Sequence, residues 1–293
     1  MKNIRNIVIV ACIAMVSCGP DARLDLVGMF NGTSPTIDQR YDESDSYNKQ
    51  HGFVTIQAPV DDYHVYVCTD THITNTQVLW TKFIETYRQD VLCPVAVHLG
   101  DIIDASNHFD DMYSAYQAVP TNSSKADTLM AVVGNHDIYF KQWPQFIELF
   151  KTSFYYFVVE TPSGIKDLFI CYDTADGTLG TKQFKWLSDV LEWADTQNFR
   201  HIVGCTHTHF FKRDASQGTT GNYTLEETYS LLNLFTKHGV SMVWSGHDHA
   251  REITEVKGMT TIVVDSMKDE DNKPFYMLVT MGKWINYEFV PAK

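Results

Sequence analysis

Basic residues are scarce in this sequence of 293 residues: 23 lysines and arginines stand against 36 acidic residues, and the formal net charge is −13. A chain this acidic is not expected to bind nucleic acid polymers or anionic surfaces nonspecifically. No cysteine pair has the CxxC spacing of metal and redox motifs, so we assign the cysteines no chemistry. Repeats and low-complexity segments are also absent, and the 44% of hydrophobic residues is typical of a globular protein.

The N-terminus has no apolar run of the roughly 20 residues that a membrane-spanning helix needs. Lys2 and Arg5 precede a short apolar segment, Ile7–Val16, and this pattern predicts a signal peptide over residues 1–17, with a transmembrane anchor as the alternative. The string MVSCG resembles a bacterial lipobox, which implies an exported lipoprotein. Such a protein is anchored in the membrane through a lipid on Cys18 and faces the periplasm or the cell surface. Secretion with cleavage near Cys18 is the other interpretation.

Two segments of different character follow. Residues 18–60 are polar and rich in turn signals, and we interpret them as an extended arm or tether, with disorder as the alternative. From residue 61 onward, short apolar runs alternate with longer amphipathic runs, and strand-like runs dominate the end. This order predicts an α/β fold with one mixed sheet or two packed sheets. The predicted helices are Gln77–Asp90, Asp111–Ala118, Trp143–Phe150, Lys182–Trp193 and Leu225–His238.

Polar clusters recur where the predicted strands stop. In open α/β sheets, ligands bind at the carboxyl ends of the strands, so these clusters are expected to meet at one edge. Six of the twelve histidines fall inside the clusters, whereas histidines with purely structural roles would be scattered. The clusters are TDTH (Thr69–His72), GDIID (Gly100–Asp104), GNHD (Gly134–Asp137), THTH (Thr206–His209) and GHDH (Gly246–His249).

The donor types in the clusters predict a metal site. Imidazole, carboxylate and amide oxygen without thiolate suit borderline divalent ions such as zinc, manganese and iron. A bridging carboxylate can hold two such ions about 3.5–4 Å apart, an arrangement that clamps a phosphoryl group during in-line displacement.

In this order, the motifs DxH, GDxxD, GNHD, a strand-terminal histidine and GHxH resemble those of the calcineurin-like metallophosphoesterase family, over roughly residues 61–265. The resemblance implies a domain over residues 61–293 in which two packed mixed β-sheets are flanked by helices, a four-layer sandwich. It also implies two divalent ions held by seven ligands. Asp70, His72 and His249 are expected on the first ion, Asp101 on both, and Asn135, His207 and His247 on the second.

The third motif also implies catalytic residues. His136 matches the family histidine that contacts substrate and protonates the leaving oxygen, and Asp137 is available to orient its ring. Asp104 and His98 are expected to support the ligands rather than bind metal, although His98 reads equally well as a buried strand histidine.

Two details of the ligand set depend on local geometry. His207 and His209 are two residues apart after the same strand, so their side chains are expected on the same side and either could be the ligand. We prefer His207 because the family ligand ends its strand directly. His209 would then line the substrate pocket. His247 and His249 are two residues apart, so in an extended segment both point the same way while Asp248 faces elsewhere.

The expected function is hydrolysis of small phosphate mono- or diesters by a metal-bound hydroxide at a dinuclear site outside the cytoplasm. The alternatives are a surface lipoprotein with a non-catalytic metal site and a single-metal hydrolase of another bond. The motifs do not choose among phosphoester substrates.

Overall fold

Helices and strands alternate along most of the chain, as the sequence predicts. The computed structural model describes residues 34–104, 108–121, 128–211 and 223–293, so the predicted signal peptide and Cys18 lie outside the described residues. The helices are α1 (Ile37–His51), α2 (Val78–Gln89), α3 (Phe109–Ala118), α4 (Trp143–Phe150), α5 (Thr181–Ala194) and α6 (Leu225–Lys237). The strands are β1 (Val54–Gln57), β2 (Tyr63–Cys68), β3 (Val95–His98), β4 (Leu129–Ala131), β5 (Tyr155–Glu160), β6 (Lys166–Cys171), β7 (Phe199–Cys205), β8 (Met242–Ser245), β9 (Glu252–Val256), β10 (Met259–Val263), β11 (Phe275–Met281) and β12 (Ile285–Pro291).

The strands form two mixed sheets. One has seven strands in the order β1-β5-β6-β7-β8-β10-β9, and the other has five in the order β12-β11-β2-β3-β4. Each sheet contains consecutive parallel pairs, such as β2 with β3 and β7 with β8, next to antiparallel pairs such as β11 with β12.

The side chains on each strand alternate between two apolar layers. Val65 and Val67 of β2 join Phe169 of β6 in the core between the two sheets. Tyr66 on the other face of β2 packs with residues of α2, α3 and α4. Leu168 on the other face of β6 packs with residues of α5 and α6. The order of layers is therefore helix, sheet, sheet, helix, which confirms the predicted fold class.

Helix α1 and strand β1 correct the prediction of an extended arm. Thr36 and Gln39 form a reciprocal capping box at the start of α1, and β1 pairs in parallel with β5 at the edge of the seven-stranded sheet. The buried face of α1 consists of Arg40, Ser44 and Asn48, which are spaced by four residues and are all polar. A search for apolar helical periodicity therefore cannot find this helix.

The buried polar side chains of α1 all have partners. The Arg40 guanidinium donates to both carboxylate oxygens of Asp173, at 2.8 and 3.0 Å, and to Asp176 at 3.1 Å. Nδ2 of Asn48 donates to the carbonyl of Phe154 at 2.7 Å. Residues 34–57 are thus part of the folded domain.

Among the described residues, no helix combines the length and the apolar character needed to cross a bilayer.

Candidate metal centre

The five predicted polar clusters meet at one edge of the molecule. Three of them follow β2, β3 and β4 of the five-stranded sheet, and two follow β7 and β8 of the seven-stranded sheet. Within each sheet these parent strands run parallel to one another, so their carboxyl ends lie at one edge of that sheet. The two edges are adjacent, because residues from both sheets share the donor groups described next.

Six of the seven predicted ligands, together with His136, form three overlapping groups, and within each group the donor atoms lie within 4.8 Å of one another. Nε2 of His72 lies 3.2 Å from Nε2 of His249, and Nε2 of His249 lies 3.2 Å from Oδ1 of Asp70. These groups are Asp70, His72 and His249; His72, Asp101 and His136; and Asp101, His207 and His247.

Asp101 lies between the other ligands. Its Oδ2 atom is 3.6 Å from Nε2 of His72 and 3.3 Å from Nε2 of His207. The same His207 nitrogen lies 3.1 Å from Oδ1 of Asn135 and 3.2 Å from Nδ1 of His247. One carboxylate oxygen therefore faces both the first and the last group.

These separations fit metal coordination. Bonds of about 2.1 Å place the ligand atoms of one tetrahedral or octahedral ion about 3.0–3.4 Å apart. The tautomers also fit, because Nδ1 of His72 donates to Asp104 at 3.2 Å and Nδ1 of His207 donates to the carbonyl of Leu99 at 2.9 Å. Each of these imidazoles consequently presents the lone pair of Nε2 to the centre.

The Asp70 carboxylate is buried without a full set of hydrogen-bond donors. Thr69 and the backbone N–H of His247 donate to Oδ2 of Asp70, whereas Oδ1 of Asp70 is buried and accepts no hydrogen bond. Burial by itself raises the pKa of Asp70, but the imidazoles of His249 and His72 outweigh it and hold that pKa well below its usual value. Buried anionic oxygens of this kind need cations, which bound metal ions would provide.

Several of these residues adopt a backbone conformation that L-residues rarely use. Their φ angles are positive, between 41° and 75°, in the left-handed region. The prediction that His247 and His249 point the same way because they lie in an extended segment is therefore wrong in its reason. Strand β8 ends at Ser245, and the residues after it form a turn. The residues concerned are Asp70, His72, Asp101, His247 and His249.

Two motif glycines are required by close approach. A Cβ atom at Gly134 would collide with the backbone and side chain of Asp101, and one at Gly246 would collide with Thr69 and Asp70. Larger residues at either position would push the loops apart, so the glycines set how closely the ligands converge.

Residues 63–251 match the sequence profile of the calcineurin-like phosphoesterases. The chain belongs to this family. No curated protein sequence is significantly similar to it. Among solved structures, it resembles a dimetal phosphatase from Danio rerio, with a TM-score of 0.61, 12% identity and coverage of 79% of this chain and 96% of the other.

Two further structures share the fold. One is GAP50, the anchor in the inner membrane complex of Plasmodium, with a TM-score of 0.59, 16% identity and coverage of 79% of this chain and 85% of the other. The second is the purple acid phosphatase PPD1 from yellow lupin seeds, with a TM-score of 0.59, 14% identity and coverage of 80% of this chain and 52% of the other.

In this calcineurin-like phosphoesterase, His136 lies beside the first ligand group but is oriented differently from the prediction. Nδ1 of His136 donates to the backbone carbonyl of Asp104 at 2.5 Å, and the Asp104 carboxylate lies 3.6 Å from the same atom. The His136 side chain is 30% exposed, so its Nε2 is the nitrogen left to face a substrate.

Asp137 does not orient His136, which corrects its predicted catalytic role. Its Oδ1 accepts the backbone N–H groups of Ile102 and Ile103 at 2.9 and 3.3 Å, and its Oδ2 accepts that of Gly134 at 2.8 Å. Burial raises the pKa of Asp137 to about 7, with a contribution from the nearby Asp101 charge. Asp137 thus ties the GDIID and GNHD loops together.

His98 supports the two ligand loops through hydrogen bonds to Gly100 and Thr71 rather than to a ligand side chain. Its Nδ1 accepts the N–H of Gly100 at 3.2 Å, and its Nε2 donates to the hydroxyl of Thr71 at 2.9 Å. The Thr71 hydroxyl donates in turn to the carbonyl of Ile102 at 2.8 Å. The sequence analysis missed this role of Thr71, although a hydroxyl between two ligand positions in TDTH is a signal for such a brace.

His209 and Asp248 pair with each other rather than joining the donor groups. The N–H of Phe211 donates to Nδ1 of His209 at 3.0 Å, so Nε2 carries the proton and donates to Oδ2 of Asp248 at 2.6 Å. This geometry favours His207 over His209 as the ligand. The pair joins the THTH loop to the turn that holds His247 and His249.

We expect Asp248→Ala to weaken metal affinity by about 10–100-fold, because supporting partners of metal ligands have effects of this size. Asp248→Asn should recover most of the affinity, since its amide oxygen still accepts the proton of His209. Metal titration against a competing chelator measures both variants. Asp195→Ala is the matched control, because it removes a remote His–Asp contact of 2.8 Å to His238. Equal affinities in Asp248→Ala and this control would contradict the bracing role.

Arg251 is committed to structural contacts. Its Nε lies 3.1 Å from Oδ2 of Asp265, and its guanidinium stacks over the rings of Phe275 and Phe289, each at 4.5 Å. Lys212 and Arg213, the other cations that follow a motif, lie outside the described residues.

Proposed function

We propose that this calcineurin-like phosphoesterase hydrolyses phosphate mono- or diesters at a dinuclear centre of divalent ions, Mn, Fe or Zn. The observation that carries the proposal is the position of Asp101, whose Oδ2 lies 3.6 Å from His72 in one donor group and 3.3 Å from His207 in the other. Divalent ions bound there would polarise the phosphoryl group and lower the pKa of water.

Residues of the chain would supply the remaining chemistry. A ring nitrogen of His136 lies within 4.8 Å of donor atoms of His72 and Asp101. Because Nδ1 is fixed on the Asp104 carbonyl, Nε2 is the nitrogen left for a substrate. In hydrolysis the P–O ester bond breaks, and a protonated His136 would donate its Nε2 proton to the departing alcohol oxygen. A positioned general acid of this kind contributes about 10²–10⁴-fold to the rate.

A non-catalytic role is the second proposal to be tested. GAP50, which shares the fold, is described as an anchor. The chain described here keeps all three donor groups, one of which includes the partly exposed His136, and this favours hydrolysis.

We expect two divalent ions per chain and turnover of at least one phosphoester class. The seven predicted donors exceed the four to six positions that one such ion uses. Elemental analysis after reconstitution, followed by a panel of monoesters and diesters, measures both. One ion or fewer per chain would refute the dinuclear centre, and two ions without turnover would favour the anchoring role.

His136→Ala should keep both ions but lose turnover to an extent that depends on the leaving group. An alkyl alcohol needs a proton to leave and should lose about 10²–10⁴-fold, whereas p-nitrophenolate leaves largely unaided and should lose far less. The rates of both esters are compared at matched metal occupancy, with His51→Ala, at the exposed end of α1, as the control. A uniform loss would mean that His136 only positions phosphate.

We also propose that Cys18 carries a lipid and anchors the exported protein to a membrane. Cys18→Ser should abolish labelling with a radioactive fatty acid and move the protein from the membrane fraction to the soluble fraction. Cys12→Ser, within the predicted signal peptide, is the control. A Cys18→Ser protein that still carries label would contradict the proposal.

A further inference from the structure

The THTH motif has a threonine on each side of the predicted ligand His207. Thr206 and Thr208 are each 1% exposed, and His207 is fully buried. The hydrogen-bonding groups of this segment must therefore find their partners inside the protein. The proposed hydrolysis gives neither threonine hydroxyl a role.

One side of the His207 segment is held by the segment that includes and follows β8. The N–H of Thr206 donates to the carbonyl of Trp244 at 3.0 Å, and the N–H of Gly246 donates to the carbonyl of His207 at 2.9 Å. Backbone hydrogen bonds thus fix this side.

The other side of the His207 segment lies beyond the end of β6, where Thr174 replaces a strand. Strand β6 ends at Cys171, and the N–H of Tyr172 donates to the carbonyl of Cys205 at 3.1 Å. Two residues further on, the Thr174 hydroxyl accepts the N–H of Thr208 at 3.0 Å, and the Thr174 carbonyl accepts the Thr208 hydroxyl at 2.9 Å. A side-chain oxygen therefore takes the place of a backbone carbonyl.

The Thr174 hydroxyl also contacts the residue that precedes His207. It lies 2.7 Å from the Thr206 hydroxyl, which donates to the carbonyl of Tyr172 at 3.2 Å. Because a hydroxyl has one proton, Thr174 is the donor in the shorter bond. The Thr174 hydroxyl thus accepts from Thr208 and donates to Thr206, and it fixes both neighbours of His207.

The segment that carries Thr174 is itself held from two helices. The Asp173 carboxylate accepts hydrogen bonds from Arg40 of α1 at 2.8 and 3.0 Å. The N–H of Asp173 donates to Oε1 of Gln183 in α5 at 2.7 Å, and Nε2 of Gln183 donates back to the Asp173 carbonyl at 2.7 Å. Thr174 is therefore a fixed support for the His207 segment.

We propose that Thr174 is a positioning residue for the second metal ion and acts through His207. The inference rests on the proposed dinuclear centre and adds a residue that lies outside the five motifs. Nε2 of His207 lies 3.1 Å from Oδ1 of Asn135 and 3.2 Å from Nδ1 of His247, and metal–ligand distances tolerate departures of only about 0.2 Å. Without the Thr174 hydroxyl, the buried N–H of Thr208 would move toward another acceptor and displace His207 with it.

The first metal ion should not depend on Thr174. Its predicted ligands Asp70, His72 and His249 lie in the segments that follow β2 and β8, whereas the hydrogen bonds of Thr174 hold the segment that follows β7. A selective effect on the second ion would separate positioning from a general loss of stability.

Zinc titration of the full chain, labelled with ¹⁵N in its histidine rings, tests the proposal. A competing chelator buffers free zinc, and the Nε2 resonances of His72 and His207 report the first and the second ion. Thr174→Val keeps the shape of the side chain, and half-saturation at His207 should then need about 10–100-fold more free zinc, the usual effect of losing a supporting partner. The value at His72 should change by less than about 3-fold, and Thr174→Ser, which keeps the hydroxyl, should restore His207 to within about 3-fold of wild type.

Thr161→Val is the matched control. Thr161 is 2% exposed, and its hydroxyl accepts the N–H of Ile165 at 3.2 Å in the turn before β6, at the opposite end of that strand from Thr174. Should Thr174→Val fail to fold, Thr208→Val carries the test, because it removes only the bond to the Thr174 carbonyl and should weaken the second ion by about 3–10-fold.

Three results would overturn the positioning role. They are equal losses at His72 and His207, a Thr174→Val protein that binds zinc at His207 like Thr161→Val, and a Thr174→Ser protein that behaves like Thr174→Val.

Turnover of p-nitrophenyl phosphate by wild type tests the proposed function separately. Selective loss of the second ion without turnover in wild type would keep the positioning role and refute hydrolysis. Turnover without selective loss would refute the positioning role and keep hydrolysis. A His207 resonance that does not respond to zinc in wild type would refute the dinuclear centre and the positioning role together.

Discussion

Asp101→Asn is expected to lower the affinity for both metal ions and to reduce phosphoester hydrolysis by roughly 10³-fold or more. Oδ2 of Asp101 faces His72 and His207 at once, while Oδ1 accepts the N–H of His136 at 2.8 Å. The amide would retain that hydrogen bond but lose the negative charge between the two groups. Metal centres stabilise phosphoryl-transfer transition states by several kcal/mol, and each 1.36 kcal/mol corresponds to about tenfold in rate.

Metal content and turnover are measured together for this variant. His72→Ala is the informative comparison, because it belongs to the first group and should leave the ion near His207 in place. Asp189→Asn, on the exposed face of α5, controls for a change of one charge elsewhere. Equal and mild metal loss in Asp101→Asn and His72→Ala would show that Asp101 is not shared.

Arg40→Met should lower the free energy of unfolding by about 3–5 kcal/mol, which is the usual result of removing one partner of a buried ion pair. The side chains of Arg40 and Asp173 are 0% and 1% exposed, so the variant leaves a buried carboxylate without its cation. Urea denaturation followed by circular dichroism measures the change, provided that the transition is cooperative.

Lys182→Met is the matched control for this experiment. It also removes a cation that joins α1 to α5, through Asp42 at 2.7 Å, but both of these side chains are exposed. We expect it to leave stability unchanged, because exposed pairs contribute little. The double variant Arg40→Met/Asp173→Leu should recover part of the loss, since it removes the buried carboxylate as well, and the other partner of Arg40, Asp176, is 22% exposed. Similar results for Arg40→Met and Lys182→Met would mean that α1 contributes little to the fold.

The sequence predicted the elements whose packing is apolar. Helix α4 has the predicted bounds, and α2 and α5 differ by one residue at each end, because Leu79, Phe83 and their equivalents repeat at helical spacing. Helix α1 was missed since its buried face carries Arg40 and Ser44, whose partners lie more than 100 residues away. Polar burial is recognisable only when the partner is known.

The same distinction applies to the metal centre. The motifs located its residues because each one follows an apolar run that forms a strand. Partners that lie far apart in the sequence were not predictable from local pattern. Asp137 with Ile102 and His209 with Asp248 are examples. The turn that holds His247 was not predictable for the same reason, because the backbone N–H of His247 donates a hydrogen bond to the distant Asp70 carboxylate.

The left-handed backbone at Asp70, His72, Asp101, His247 and His249 limits how this protein can be engineered. At most positions of this kind, glycine is the substitution that relieves strain, which is of order 1–3 kcal/mol for each residue. Here each such glycine would delete a donor, so this route to thermostability is closed at the centre. A selection for heat resistance alone is therefore expected to yield variants that gain stability at these five positions and lose activity, whereas gains compatible with activity should come from other parts of the chain.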